Sequence, residues 1–162
     1  MKHAPFTTII SRSEEETLAL GRQLAMRLTP GCIVALHGDL GAGKTALCRG
    51  IAAGLGITEP VTSPSFTVVQ EYPCRASTVR WLFHLDMYRI DNEAAAAAFG
   101  IDEFLWAPDA IALIEWPERI TGLLDDPDRV HHLYLEHGPH GERHIVLPAS
   151  LGEKYEFRLF RL

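Results

Sequence analysis

The stretch Gly38-Asp-Leu-Gly-Ala-Gly-Lys44-Thr45 constrains what this chain can fold into more than any other. It fits G-x-x-x-x-G-K-[ST] at every fixed position, and that pattern requires a strand before it and a helix after it. Both are legible. Cys32-Ile-Val-Ala-Leu36 is a continuous apolar run, the expectation for a strand buried on both faces. An Ala/Leu/Ile-rich segment from Lys44 to Leu55 predicts a helix, stopped by Gly56. Glycines 38, 41 and 43 let the intervening loop take positive φ and turn N–H groups toward phosphate oxygens. The helix N-terminus adds partial positive charge at the same spot. Lys44 can reach the β- and γ-phosphates, and the Thr45 hydroxyl can hold Mg2+. A chain built around this turn is α/β and takes up a nucleotide.

The remaining pattern extends that reading. Phe6–Ile10 reads as a short strand. Ser13 followed by Glu14, Glu15 and Glu16 has the form of a capping box, and Leu18, Leu20, Leu24, Ala25 and Leu28 continue a helix until Pro30-Gly31. Strands are expected at Phe66–Tyr72, Val79–Asp86 and Ala110–Glu115, and a helix at Asp91–Gly100 whose alanine run, Ala94–Ala98, reads as a close-packed face. Val130–Glu136 and His144–Leu147 around Gly138-Pro-x-Gly141 predict a hairpin. With no repeat and no Gly/Ser linker, residues 1–162 are expected to form a single P-loop NTPase domain. Its expected architecture is a central mixed, largely parallel sheet flanked by helices, with a C-terminal antiparallel hairpin. Leu151–Leu162 alternates weakly and receives no assignment.

Composition narrows the class of partner. Fifteen Lys+Arg against 21 Asp+Glu give a formal charge of −6, which argues against a broad basic face gripping nucleic acid. No apolar run approaches the ~20 residues of a membrane span, so no membrane contact is expected. Met1–Ile10 carries one lysine and no apolar signal core, the expectation of a chain that is not exported. Three dispersed cysteines, Cys32, Cys48 and Cys74, suit a reducing cytoplasm.

A P-loop enzyme needs a carboxylate at a neighbouring strand end to hold metal or orient water. Asp86 closes one apolar strand and Glu115 another. Strand C-termini beside the phosphate loop are where ligands sit in open α/β sheets. Thr62-Ser-Pro-Ser-Phe-Thr67 occupies the place of a γ-phosphate-sensing switch loop. The chain has only three lysines, Lys2, Lys44 and Lys154, and none lies in an N-K-x-D guanine-reading motif, which argues against GTP. Nor is there an Arg-rich lid of the kind small-molecule kinases close over substrate. Hydrolysis coupled to a partner therefore fits better than transfer to a metabolite. Arg89 is either a phosphate-stabilising arginine or a structural ion-pairing residue. Cys48 reads as packing, and His131, His132, His137, His140 and His144 as solvated hairpin histidines rather than metal ligands.

Four segments in this order resemble the bacterial TsaE (YjeE) family: His37-Gly-Asp-Leu-Gly-Ala-Gly-Lys-Thr45, Thr62-Ser-Pro-Ser-Phe-Thr67, His84-Leu-Asp-Met-Tyr-Arg89 and Glu115-Trp-Pro117. The resemblance runs from Phe6 to Leu147. It implies a cytoplasmic, Mg2+-dependent ATPase, weak alone, that supports the TsaB–TsaD pair in forming N6-threonylcarbamoyladenosine at position 37 of tRNAs reading ANN codons. The tRNA would be met only through the complex. It further implies that Leu40, Gly41, Ala42, Gly43, Lys44 and Thr45 bind the phosphates and that Thr45 and Glu115 hold Mg2+. Asp86 would sit by the metal and the attacking water, Ser65 would be the switch hydroxyl, and Trp116 would flank the site. Glu14 matches a nucleotide-contacting position, and Gly141 another. Ala46 stands where many relatives carry a hydroxyl residue, so an α-phosphate hydrogen bond is lost and only the Ala46 N–H remains. The alternatives are a small-molecule P-loop kinase, or a nucleotide-gated interaction module without significant turnover.

Overall fold

The structure is a computed structural model and describes residues 5–75 and 78–152. In chain order these form β1 (Phe6–Ser11), α1 (Glu14–Ala25), β2 (Ile33–His37), α2 (Lys44–Gly54), β3 (Val69–Pro73) and β4 (Trp81–Asp86). There follow α3 (Glu93–Ala98), α4 (Asp102–Leu105), β5 (Ala110–Glu115), a 3-10 segment at Pro117–Leu123, β6 (Val130–His137), β7 (Arg143–Pro148) and α5 (Ala149–Gly152). The described strands join one seven-stranded sheet in the order β1-β7-β6-β2-β5-β4-β3. Its centre, β6-β2-β5-β4, is parallel. Both margins are antiparallel: the expected β6–β7 hairpin with β1 beyond it, and β3 on β4.

The apolar runs account for this arrangement. Strand β2 is covered on both faces, as a parallel strand must be. Val34 and Leu36 enter the layer beneath α1 and α2, while Ile33 and Ala35 enter the layer beneath α3 and α4. Helix α1 begins at the Ser13 cap, whose hydroxyl accepts from Glu16 N–H at 3.1 Å, while the Glu16 carboxylate accepts from Arg12 N–H. The helix ends at Ala25 rather than running on to Pro30. Met26 and Arg27 N–H turn back to Gln23 and Leu24 carbonyls, and Pro30 disfavours a helical Thr29.

Helices α1 and α2 touch backbone to backbone. A Cβ on Gly21 would lie 2.6 Å from the Leu47 carbonyl oxygen, one on Gly54 2.7 Å from the Arg22 carbonyl oxygen, and one on Gly50 against the Leu18 carbonyl. Mid-helix glycine costs roughly 0.5–1 kcal/mol against alanine. Here that cost is the condition of the close crossing.

Several expectations are corrected. The strand expected from Phe66 begins at Val69, because Val68 takes φ 69°, donates to the Pro64 carbonyl at 2.7 Å and cannot extend a ladder in that conformation. The helix expected over Asp91–Gly100 is confined to Glu93–Ala98, capped by the Asn92 side chain, and the strand expected from Val79 starts at Trp81. Of Ala94–Ala98 only Ala96 is buried, so the run forms a helix through propensity and is not a close-packed face. No sequence signal marked α4 or the 3-10 segment. Among the described residues no helix is long and apolar enough to cross a membrane. Residues 153–162, with their weak alternation, lie outside the described residues.

Candidate active site

Because β2, β4 and β5 are parallel, their C-terminal ends open on one side of the sheet. The phosphate loop leaves β2 there, Glu115 ends β5 beside it, and Asp86 ends β4 in register with Glu115. The three loop glycines have φ of 150°, 76° and 103° at Gly38, Gly41 and Gly43, all in the range that side chains avoid. A Cβ on Gly38 would also meet the Leu135 carbonyl at 2.5 Å. Above the loop lies a cleft of about 620 Å³, a size in the range of small-molecule sites.

The cleft gathers every site residue expected from the sequence. Leu40, Gly41, Ala42, Gly43, Lys44, Thr45 and Ala46 form one wall, with Glu14 from the start of α1 beyond them. Ser65, Asp86, Glu115 and Trp116 line it further round, as does Gly141 in the β6–β7 turn. At the floor the Thr45 hydroxyl donates to Glu115 Oε1 at 3.0 Å and approaches Oε2 at 3.4 Å. Two adjacent ligands of an octahedral ion with bonds near 2.1 Å stand about 3 Å apart, so this oxygen pair fits a hard divalent cation. Asp86 is held on both oxygens: Oδ2 accepts from the Ser63 hydroxyl at 2.8 Å and Oδ1 from Tyr88 N–H at 2.9 Å.

Lys44 is nearly buried. It donates to the Gly38 carbonyl and to the Asp39 carbonyl at 3.3 Å, and its Nζ stands 3.9 Å over the Trp116 ring. Desolvation lowers its pKa, while Glu115, Glu118, Asp86 and Asp39 pull it back toward the charged form. Trp116 itself adopts φ 58° and ψ 49°, a strained left-handed conformation that its packing against Lys44 and Tyr88 holds in place. Leu40 and Phe66, both 84% exposed, stand on the two rims of the cleft. The Arg89 guanidinium stacks 4.5 Å over Phe66 and lines the cleft, so it is tied to the Thr62–Thr67 segment.

Four side chains at the site were not singled out as site residues. Ser63, rather than Ser65, makes the bond to Asp86. His84 is fully buried with Nε2 2.8 Å from Glu115 Oε2, and its position two residues before Asp86 on one strand face was the available signal. Arg143 lies against Gly43 and donates to the Gly141 carbonyl at 3.0 Å; only the hairpin register brings it there. Arg49 pairs with Glu14 at 3.6 Å, one helical turn beyond Thr45. Cys48 packs as expected: burial pushes its thiol well above the usual range, which leaves it protonated and unreactive.

The hairpin histidines divide. His137 and His140 are exposed. His132 is not simply solvated, because its Nδ1 meets His37 Nε2 at 2.9 Å and the His37 ring stacks on Tyr134 at 4.5 Å. Desolvation, then the neighbouring His132 and Lys44 charges, push His37 down to about 4, and burial lowers His131 and His132 as well.

A family model for Threonylcarbamoyl adenosine biosynthesis protein TsaE matches residues 11–145. The chain belongs to the TsaE family. It is 36% identical over 156 residues to the tRNA threonylcarbamoyladenosine biosynthesis protein TsaE of Bacillus subtilis, covering 96% of this chain and 91% of that protein. It is 38% identical over 141 residues to the protein of the same name from Nostoc, covering 85% of this chain and 82% of the relative. Among solved structures, Bacillus subtilis YdiB superposes with a TM-score of 0.76 at 29% identity, over 95% of this chain and 96% of that one. The P-loop NTPase fold expected of the TsaE family is thus the fold observed.

Proposed function

We propose that the chain is the ATP-binding and hydrolysing component of the cytoplasmic machinery that forms N6-threonylcarbamoyladenosine at position 37 of tRNAs reading ANN codons, acting with TsaB and TsaD. The observation that carries the enzymatic part is the Thr45–Glu115 oxygen pair at the mouth of the phosphate loop, with Asp86 in register one strand away. A cradle for binding alone would need the loop but not two buried carboxylates beside it.

In this reading the N–H groups of Gly41 to Thr45 and the charge of Lys44 hold the phosphates. Thr45 and Glu115 would hold Mg2+, which would supply neutralisation of the phosphate charge. Asp86, its carboxylate fixed by Ser63 and Tyr88, orients the attacking water and holds the proton it releases. The Ala46 N–H meets the α-phosphate, and Glu14 and Gly141 are further nucleotide contacts. Trp116 gives Lys44 an aromatic face on which to rest. The acidic charge of −6 leaves tRNA contact to the partners.

The test is ATP hydrolysis by the purified chain with and without the TsaB–TsaD pair, with Lys44→Ala as the contamination control. Weak turnover that rises with the pair and drops about 10³-fold in the variant is expected. No turnover in either condition would leave a nucleotide-gated interaction module, and phosphate transfer to a metabolite without any partner would indicate a kinase.

A further inference from the structure

We propose that His84 is a positioning residue: it holds one oxygen of the Glu115 carboxylate so that the other faces the divalent cation. This rests on the reading of Thr45 and Glu115 as the metal's ligands. His84 and Glu115 are both buried, and His84 Nε2 lies 2.8 Å from Glu115 Oε2. The geometry follows from the strand pairing. His84 and Asp86 share the α2-facing side of β4, as Leu113 and Glu115 share that side of β5, and Asp86 pairs with Glu115. The imidazole therefore reaches Glu115 diagonally from the sheet interior, while Asp86 sits beside it toward the cleft.

The two oxygens of Glu115 then have different duties. Thr45 lies closer to Oε1 than to Oε2, 3.0 against 3.4 Å, and His84 takes Oε2. When the Thr45 hydroxyl turns to a cation, His84 remains the donor that stops the carboxylate from rotating about its last bond. The imidazole's other nitrogen supports this role. His84 Nδ1 is buried with no hydrogen-bond partner, and an orphaned polar atom costs roughly 1–3 kcal/mol. A side chain present only to fill space would resemble its apolar neighbours Leu82 and Leu85. Partners that orient a ligating group typically contribute 10–100-fold in metal affinity.

The experiment compares binding of a non-hydrolysable ATP analogue in Mg2+ and in EDTA by titration calorimetry, for the wild-type chain and for His84→Gln, His84→Asn and Glu115→Gln. The glutamine amide nitrogen can stand where Nε2 stands; the asparagine nitrogen reaches only the place of Nδ1. The expected result is that His84→Asn cuts the Mg2+/EDTA affinity ratio about 10-fold or more. His84→Gln should keep it within about threefold, and affinity in EDTA should stay the same in both. Equal ratios in the two His84 variants, or equal losses with and without Mg2+, overturn the proposal. Glu115→Gln separates the two readings. If it leaves the ratio unchanged, the metal assignment itself falls and the role of His84 with it. If it collapses the ratio while His84→Asn does not, only the positioning role falls.

Discussion

The two walls of the cleft are built on different terms. The phosphate-loop wall is continuous with β2 and α2, Ala42 and Lys44 buried though Leu40 stands exposed, its backbone fixed by three glycines with positive φ. The facing wall, Thr62–Val68, has no regular structure and exposes Phe66. It is anchored by a short series of bonds: Ser63 to Asp86, Val68 N–H to Pro64, and Val68 carbonyl to Asp86 N–H. One wall is determined by packing and the other by a handful of polar contacts with Asp86. The difference teaches that the same cleft can be rigid where phosphate is held and responsive where its presence is read.

Gly50→Ala should break this asymmetry most severely. The new Cβ meets the Leu18 carbonyl, and after a gain of ~1 kcal/mol in helix propensity the net loss should be about 2 kcal/mol. Thr67→Ala on the exposed wall should stay within ~0.5 kcal/mol. Urea unfolding of the two variants, at constant m-value, checks the contrast. Ala46→Thr comes next, because on the proposed function it would add a hydroxyl beside the α-phosphate. A hydrogen bond to a charged acceptor is worth roughly 1.5–3 kcal/mol, so ATP should bind about tenfold tighter by calorimetry. Unchanged or weakened affinity would remove Ala46 from the nucleotide contacts. Ser63→Ala leaves Asp86 its Tyr88 N–H partner, so hydrolysis should fall only about fivefold, by the loss of ~1 kcal/mol. A loss as large as that of Lys44→Ala would mean that the loop wall is not the secondary one.

The last effect concerns pH. His37, at the root of the phosphate loop, has its folded pKa near 4 against an ordinary value of 6.5. Between those values the unfolded chain binds a proton that the folded chain refuses. Stability contributed by the neutral imidazole is therefore complete above about 6.5 and declines as pH falls toward 4. His131 and His132 shift the same way. His37→Gln should flatten the midpoint of urea unfolding across that window, and an unchanged slope would count against the His37–His132 pair as its source.

The parts of the site carried at the ends of sheet strands were the legible ones. Gly38–Thr45, Asp86 and Glu115 announce themselves because each sits at the end of an apolar run, and strand ends converge by topology alone. The Ser63–Asp86 bond was not legible, since it depends on the course of an irregular segment that ends in a left-handed turn at Val68, an unusual conformation for a β-branched residue. Trp116 defies a local rule more openly. A residue before proline is biased to extended backbone, yet Trp116 is left-handed, held there by tertiary contacts. Arg143 depends on how β7 pairs with β6, and alanine composition forecasts a helix at Ala94–Ala98 without saying which side is covered.

The glycine crossing of α1 and α2 has a mechanical consequence. Glu14 and Ser13 begin one helix, Lys44 and Thr45 the other, and both ends reach the nucleotide cleft. With Gly21 and Gly50 in backbone contact there is no slack for either helix to slide, so the two behave as one fixed jaw. Any displacement that a bound γ-phosphate produced would then fall to the other jaw, at Ser63–Val68, Tyr88 and Trp116. On the proposed function, a partner that reads the nucleotide state would find its gauge on that side.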